Sequence, residues 1–181
     1  MPLVVLGLSG ALTHDPSAAI YIDGQLIAAA EEERFTRQKH AKHAMPLHAS
    51  RYCLKEAGLK PKDVDVVAFP FAKTSIFGKA RWHYARRYWY APERAIDALF
   101  NGNRHYRRNV KKVRELLLQL GINWSDIQFD AVEHHMAHAS SAYHLSGFDG
   151  KVAVLGIDGK GEYATTFFRY GEEGRIHQIK E

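Results

Sequence analysis

At 181 residues, 46% of them hydrophobic and 25% charged, the chain is long enough for one good core and has an ordinary globular composition. No apolar run approaches the roughly 18 residues that a membrane span needs, and the opening MPLVVLGLSG lacks the basic leader of an export signal. The single cysteine, Cys53, excludes an internal disulfide framework and fits a reducing compartment, so a cytoplasmic protein is expected, with Cys53 inside a helix.

In chain order, a strand is expected from Leu3 to Leu8, followed by a glycine-containing turn. SAAIYIDGQLIAAAEEE then holds two strand-like runs joined by Asp23-Gly24, a strong hairpin signal. Pro46 suits the first turn of a helix whose apolar period runs to Ala57, where Gly58 ends it. Asp65 to Phe69 reads as a short buried strand. Helical patterns cover roughly Arg81 to Phe100 and Arg104 to Leu120, with Gly121 stopping the second. A further helix is expected from about Glu133 to Leu145 and a strand from Val152 to Ile157. This alternation predicts an α/β layered fold.

The formal net charge is +5 and the pI near 9.3, but the basicity is local. Between Lys79 and Arg114 lie eleven of the 25 Lys and Arg and two of the 20 acids, Glu93 and Asp97, which leaves the remainder at −4. Trp82, Tyr84, Tyr88, Trp89, Tyr90, Phe100 and Tyr106 share that segment. Cations mixed with aromatic faces suit a nucleic-acid strand. The preferred reading is a helical pair with aromatics packed inward and arginines solvated or facing an anionic ligand.

The chain also restarts. VVLGLSG at Val4 to Gly10 is echoed by AVLGIDG at Ala153 to Gly159, about 149 residues later, and a small-residue turn and hairpin follow each copy. This suggests a duplicated unit whose second copy has only begun at Glu181. The pattern is that of actin-like, sugar-kinase-like ATPases, in which each half offers a glycine-bearing turn to a cleft. Backbone amides at such turns, here around Ser9, Gly10, Gly159 and Gly161, can cradle phosphate without side-chain charge.

VEHHMAHASSAY, Val132 to Tyr143, packs three histidines into five residues. On a helix His134 and His138 share a face about 6 Å apart along the axis, whereas His135 is rotated about 100° away. Asp158, ending the next strand, is the natural third ligand for a metal. Two imidazoles and a carboxylate suit iron(II), zinc or manganese. Spacing alone leaves open that the pair is only a solvent-facing or core-satisfied couple.

Taken together, THDPSAA (Thr13 to Ala19), EEERFTRQKH (Glu31 to His40), EHHMAHASSA (Glu133 to Ala142) and IDGKGEYATT (Ile157 to Thr166) closely resemble the N-terminal domain of the NodU/CmcH-type carbamoyltransferases, which are similar to the threonylcarbamoyl-adenosine synthesis proteins. The resemblance implies an actin-like (ribonuclease H-like) duplicated fold. Residues 1–150 would form the first subdomain, with the basic aromatic insert at about 79–120, and 151–181 would begin the second. A C-terminal domain outside this chain would make carbamoyl-adenylate from carbamoyl phosphate and ATP, and the actin-like part would pass the carbamoyl group to the hydroxyl of a small-molecule or sugar acceptor. The same resemblance makes His134, His138 and Asp158 ligands of an iron-type divalent metal, with a further aspartate beyond Glu181. It makes His14 a catalytic base and Lys39 a basic group near the carbamoyl-adenylate, and it makes the insert an acceptor-binding element. Two other classes remain at this point: a nucleic-acid-binding module built on the basic helices, and a metal-dependent hydrolase or oxygenase using the histidine pair with Asp158.

Overall fold

A computed structural model describes residues 2–10, 15–159 and 164–180. The chain forms two compact units, each discontinuous in sequence: Met1–Pro70 with Arg104–Ala131, and Phe71–Asn103 with Val132–Glu181.

The first unit is built on a five-stranded sheet. β1 (Val4–Leu8), β2 (Ser17–Ile22) and β3 (Gln25–Glu31) form an antiparallel meander, and β4 (Val66–Phe69) and β5 (Gln128–Ala131) add in parallel, giving the order β3-β2-β1-β4-β5. Alternation fixes which side faces the core: Val4, Leu6 and Leu8 of β1 point inward, as do Ala18 and Ile20 of β2. The β2–β3 turn is Asp23-Gly24 with φ of 50° and 81°, the left-handed pair that matches strand twist.

After β3 the chain makes a single helical turn, α1 (Glu33–Thr36), and a 3₁₀ turn at Lys39–Ala41, then enters α2 (Leu47–Glu56). Pro46 stands one position before α2 as its N-cap, and Ala57 is its C-cap. α2 lies over β2 and β3 and buries Ala49, Ser50, Cys53 and Leu54. The first-turn amides of α2 are satisfied from outside the helix: the buried Glu32 carboxylate accepts from His48 N at 3.1 Å and Ala49 N at 2.8 Å. A negative charge there also complements the helix dipole. α5 (Arg104–Leu120) packs on α2 through Val113, Leu116, Leu117 and Leu120.

The second unit repeats the meander. β6 (Val152–Ile157), β7 (Thr166–Glu172) and β8 (Arg175–Lys180) form an antiparallel sheet in sequence order. The β7–β8 turn, Glu173-Gly174, has φ of 49° and 73°. The middle strand slips register once in each meander, between Ile20 and Tyr21 in the first and between Phe168 and Arg169 in the second. This is the mixed α/β architecture with a repeated strand-turn-hairpin unit expected from the sequence. α6 (His134–His144) covers the second sheet around a core of Ala139, Tyr143, Val154 and Phe167. The approach is close because of two glycines: a Cβ at Gly171 would lie 2.3 Å from the Tyr143 ring, and one at Gly156 2.0 Å from the Phe167 ring.

The helical segment of this unit corrects two expectations. The pattern from Arg81 to Phe100 is two helices, α3 (Lys79–Arg87) and α4 (Pro92–Asn101), broken before Pro92, which cannot donate to a continuing helix and drives Ala91 to φ −136°, ψ 81°. The aromatics are not all packed inward. Trp82, Trp89, Tyr90 and Phe100 are exposed, Trp89 by 80%, and Tyr84, Tyr88 and Tyr106 are half-buried, whereas Arg81 is buried. Small residues Ala80 and Ala85 let α3 sit low, and the Arg81 guanidinium fills the space, donating to the carbonyls of Leu99 and Thr74 and to Thr74 Oγ1. Among the described residues no helix is long and apolar enough to cross a membrane.

Candidate metal centre

α6 opens at Glu133, its N-cap, so His134 is its first residue and His138 lies one turn on. β6 ends at Ile157, which places Asp158 at the C-terminal end of a strand. These three groups come together. His134 Nε2 lies 2.9 Å from Asp158 Oδ2 and 3.2 Å from His138 Nε2, and His138 Nε2 lies 3.7 Å from the same carboxylate oxygen. With metal–ligand bonds of about 2.1 Å, neighbouring donors around one ion stand roughly 3.0–3.4 Å apart, so the spacing fits a shared ion. Two imidazole nitrogens and a carboxylate oxygen are also the donor set of iron(II), zinc and manganese sites.

The centre's electrostatics favour ligand-ready protonation states. Burial and the His134 imidazole hold His138 below the ordinary imidazole range, against the pull of Asp158. Burial works against ionisation of Asp158, but the Gly159 N–H, donating to Oδ1 at 2.6 Å, and the two imidazoles outweigh it and hold the carboxyl below its usual range. A neutral imidazole and an ionised carboxylate are the forms that bind metal.

The neighbouring side chains fix the ligands. Phe71 stacks on the His134 ring at 4.8 Å and 15°. His135 is turned to the other side and buried against Phe167, 4.9 Å between ring centres. Glu133 is tied to β7 through Arg169, whose Nη2 donates to both carboxylate oxygens at 3.1 and 3.2 Å and whose Nη1 reaches Met136 Sδ at 3.2 Å. Sequence reasoning missed Phe71 and Arg169. The signal for Arg169 lay in the strand period: Phe167, Arg169 and Gly171 share the buried face of β7, so a charge falls where only an apolar residue or a paired one can sit.

The other expected site residues are placed as follows. Ser9 follows β1 and its N–H donates to Ser17 O at 2.9 Å. Gly10 has φ 106°, and a Cβ there would lie 2.5 Å from that of Pro16. Lys39 is exposed at the start of the 3₁₀ turn. His14 and Gly161 lie outside the described residues. Asp15, which follows His14, and His40, which follows Lys39, are joined twice, by Asp15 N to His40 O at 2.9 Å and His40 Nδ1 to Asp15 Oδ1 at 2.9 Å.

Residues 4–180 match the family described as carbamoyltransferase N-terminus. The chain is 36% identical to an uncharacterized protein of Synechocystis sp., sll1178, over 95% of its own length and 28% of that protein. It is 31% identical to nodulation protein NolNO of Sinorhizobium fredii, over 98% of its own length and 26% of that protein. It thus spans less than three-tenths of either relative. Among solved structures it is similar to YeaZ from Pseudomonas aeruginosa, with 18% identity, a TM-score of 0.48, and coverage of 99% of this chain and 65% of that one.

Proposed function

This chain belongs to the carbamoyltransferase N-terminus family, and from that premise we propose that it carries the transfer half of a two-step reaction. In the first step, assigned to sequence outside this chain, water releases phosphate from carbamoyl phosphate, and the resulting carbamate oxygen attacks the ATP α-phosphorus, expelling pyrophosphate to give carbamoyl-adenylate. In the second, an acceptor hydroxyl attacks the carbamoyl carbon, a new C–O bond forms, the bond to the adenylate phosphate oxygen breaks, and AMP leaves. The observation that carries the reading is that two residues of EHHMAHASSA and one of IDGKGEYATT, separate blocks of the family pattern, present ligating atoms within 3.7 Å of one another.

His14 is the base in this reading. An aliphatic hydroxyl is a poor nucleophile at neutral pH, and a positioned imidazole that takes its proton contributes about 10² to 10⁴ in rate. Lys39 supplies positive charge toward the adenylate phosphate, and backbone amides at Ser9, Gly10, Gly159 and Gly161 are the expected phosphate donors. His134, His138 and Asp158 would hold the divalent ion, iron(II) by preference, with zinc and manganese as other ions this donor set takes. When bound, the ion supplies a Lewis acid for phosphate and carbamoyl oxygens. Gly159 and Phe71 hold the carboxylate and the His134 ring in orientation, and the Glu133–Arg169 pair anchors the helix start that carries the imidazoles.

The test is His14→Asn in the enzyme with all its domains, following pyrophosphate release for adenylate formation and the carbamoylated acceptor for transfer. Transfer should fall by at least a hundredfold while pyrophosphate release stays near wild type. Parallel loss of both products would mean that His14 supports the fold or the shared channel, and its role as base would be withdrawn.

A further inference from the structure

α3 presents an exposed stripe that neither the metal centre nor the core uses. Lys79, Trp82, His83, Arg86 and Arg87 stand at i, i+3, i+4, i+7 and i+8, the spacing that forms the apolar side of a packed helix. Here that side faces out, while Ala80, Arg81 and Ala85 take the buried positions. The five residues line an open concavity of about 480 Å³, and no acid among the described residues lines it.

A cation on a surface helix is ordinarily matched by an acid one turn away. On α5, Lys111 lies 3.9 Å from Glu115. On α3, among the described residues, no carboxylate pairs with Lys79, Arg86 or Arg87. The stripe is also held in place from below: Arg81 ties α3 to Thr74 and to the Leu99 carbonyl of α4.

We propose that this concavity binds a ring compound carrying clustered phosphates, of the nucleoside-diphosphate-sugar class. Adjacent guanidiniums at Arg86 and Arg87 match phosphate oxygens in paired hydrogen bonds, and Lys79 adds a mobile point charge. Trp82, 52% exposed, offers an indole face to the base. The volume lies within the range of small-ligand sites. A nucleic-acid strand fits less well, because a strand needs a charged track with successive stacking platforms. The charge is interrupted right after α3: α4 carries Glu93 and Asp97 against the single Arg94, and the basic run resumes only with α5. Resting on the carbamoyl-transfer reading, the sugar hydroxyl of this ligand is the acceptor; the binding site itself stands without that reading.

The experiment titrates the chain's tryptophan fluorescence with UDP-glucose. Saturable quenching is expected, lost in Trp82→Phe, with affinity falling at least tenfold in Arg86→Ala/Arg87→Ala. Lys55→Ala/Lys62→Ala, which removes the same net charge elsewhere, should stay within twofold of wild type. Inorganic pyrophosphate should compete but bind several-fold more weakly. Unchanged affinity in the double arginine variant, pyrophosphate binding as tightly as UDP-glucose, or octathymidylate binding more tightly than either would each overturn the proposal. The two readings fail differently: lost binding leaves carbamoyl transfer to another acceptor untouched, whereas retained UDP-glucose binding without its carbamoylation by the full enzyme keeps the site and removes its acceptor role.

Discussion

Replacing Glu133 by alanine should destabilise the second unit far more than removing its partner, Arg169. The Arg169 side chain is 0% exposed, its Nε has no acceptor among the described residues, and beyond Glu133 its head meets only the Met136 sulfur and, at 5.2 Å, the Phe167 ring. Glu133→Ala therefore leaves a guanidinium in the interior without its counter-charge, a loss of about 3–5 kcal/mol. Glu133 makes no side-chain cap bond to α6, so the substitution removes no helix cap. Glu133 itself is 36% exposed, so after Arg169→Met water can reach its carboxylate and the loss should be roughly 1–2 kcal/mol. The double variant should return close to the Arg169→Met value, giving a coupling of about 3–5 kcal/mol, the whole of the Glu133→Ala loss. For a chain of this size each kcal/mol moves Tm by about 2–4 °C, so Glu133→Ala should melt about 6–20 °C below wild type. Urea unfolding followed by far-UV circular dichroism on all four proteins closes the cycle. Equal losses in the two single variants, or a double variant at their sum, would refute the argument that the buried charge dominates.

Gly171→Ala should lose about 1–3 kcal/mol, because the added carbon meets the ring of Tyr143, which is itself buried and whose hydroxyl accepts from Gly174 N–H at 3.3 Å; thermal melting reads it directly. Cys53, buried under α2, has its thiol pushed up from 9.0 to about 11 by burial. The native state then keeps a proton that the unfolded state loses, so stability should decline as pH rises from about 9 to 11, and urea titrations of Cys53→Ala should lack that part of the decline. Iodoacetamide at pH 8 should label Cys53 only after denaturation, as intact mass will show. Calorimetry with zinc should give weak, saturable binding to this chain, at least tenfold weaker in His138→Ala, and an unaffected affinity would count against the centre. Because His138 is held below the ordinary 6.5, zinc should remain bound at pH values where a free imidazole is half protonated, and be released as pH falls through the depressed His138 value.

Much of this was legible in the residues. Asp23-Gly24 announced its hairpin because only a left-handed pair closes a two-residue turn, and the 134/138 spacing placed both imidazoles on one side of α6. Three features were not legible. β5 is four residues with alternating exposure and no apolar run, so it exists by pairing with β4 rather than by its own propensity. The inward side of α3 was misassigned because period gives a stripe but not which stripe faces the core, and here Ala80 and Ala85 won it over the aromatics. Phe71 sits in a loop whose only signal is its place in space, stacked on His134.

The two copies of the meander also differ, within a shared frame, at positions that carry charge in one copy alone. In both copies a strand glycine, Gly7 or Gly156, precedes the turn by the same step, and both hairpins close on an acid-glycine pair with positive φ. Two residues past that glycine one copy has Ser9, a hydroxyl whose backbone merely continues the β1–β2 ladder by donating to Ser17. The other copy has Asp158, set 2.9 Å from an imidazole. Likewise, where β2 buries Ile20 before its register slip, β7 buries Arg169 after its own, and that arginine secures the helix carrying both histidines. The two hairpins thus share one frame and differ in charge at these two equivalent positions: Ser9 and Ile20 in the first, Asp158 and Arg169 in the second.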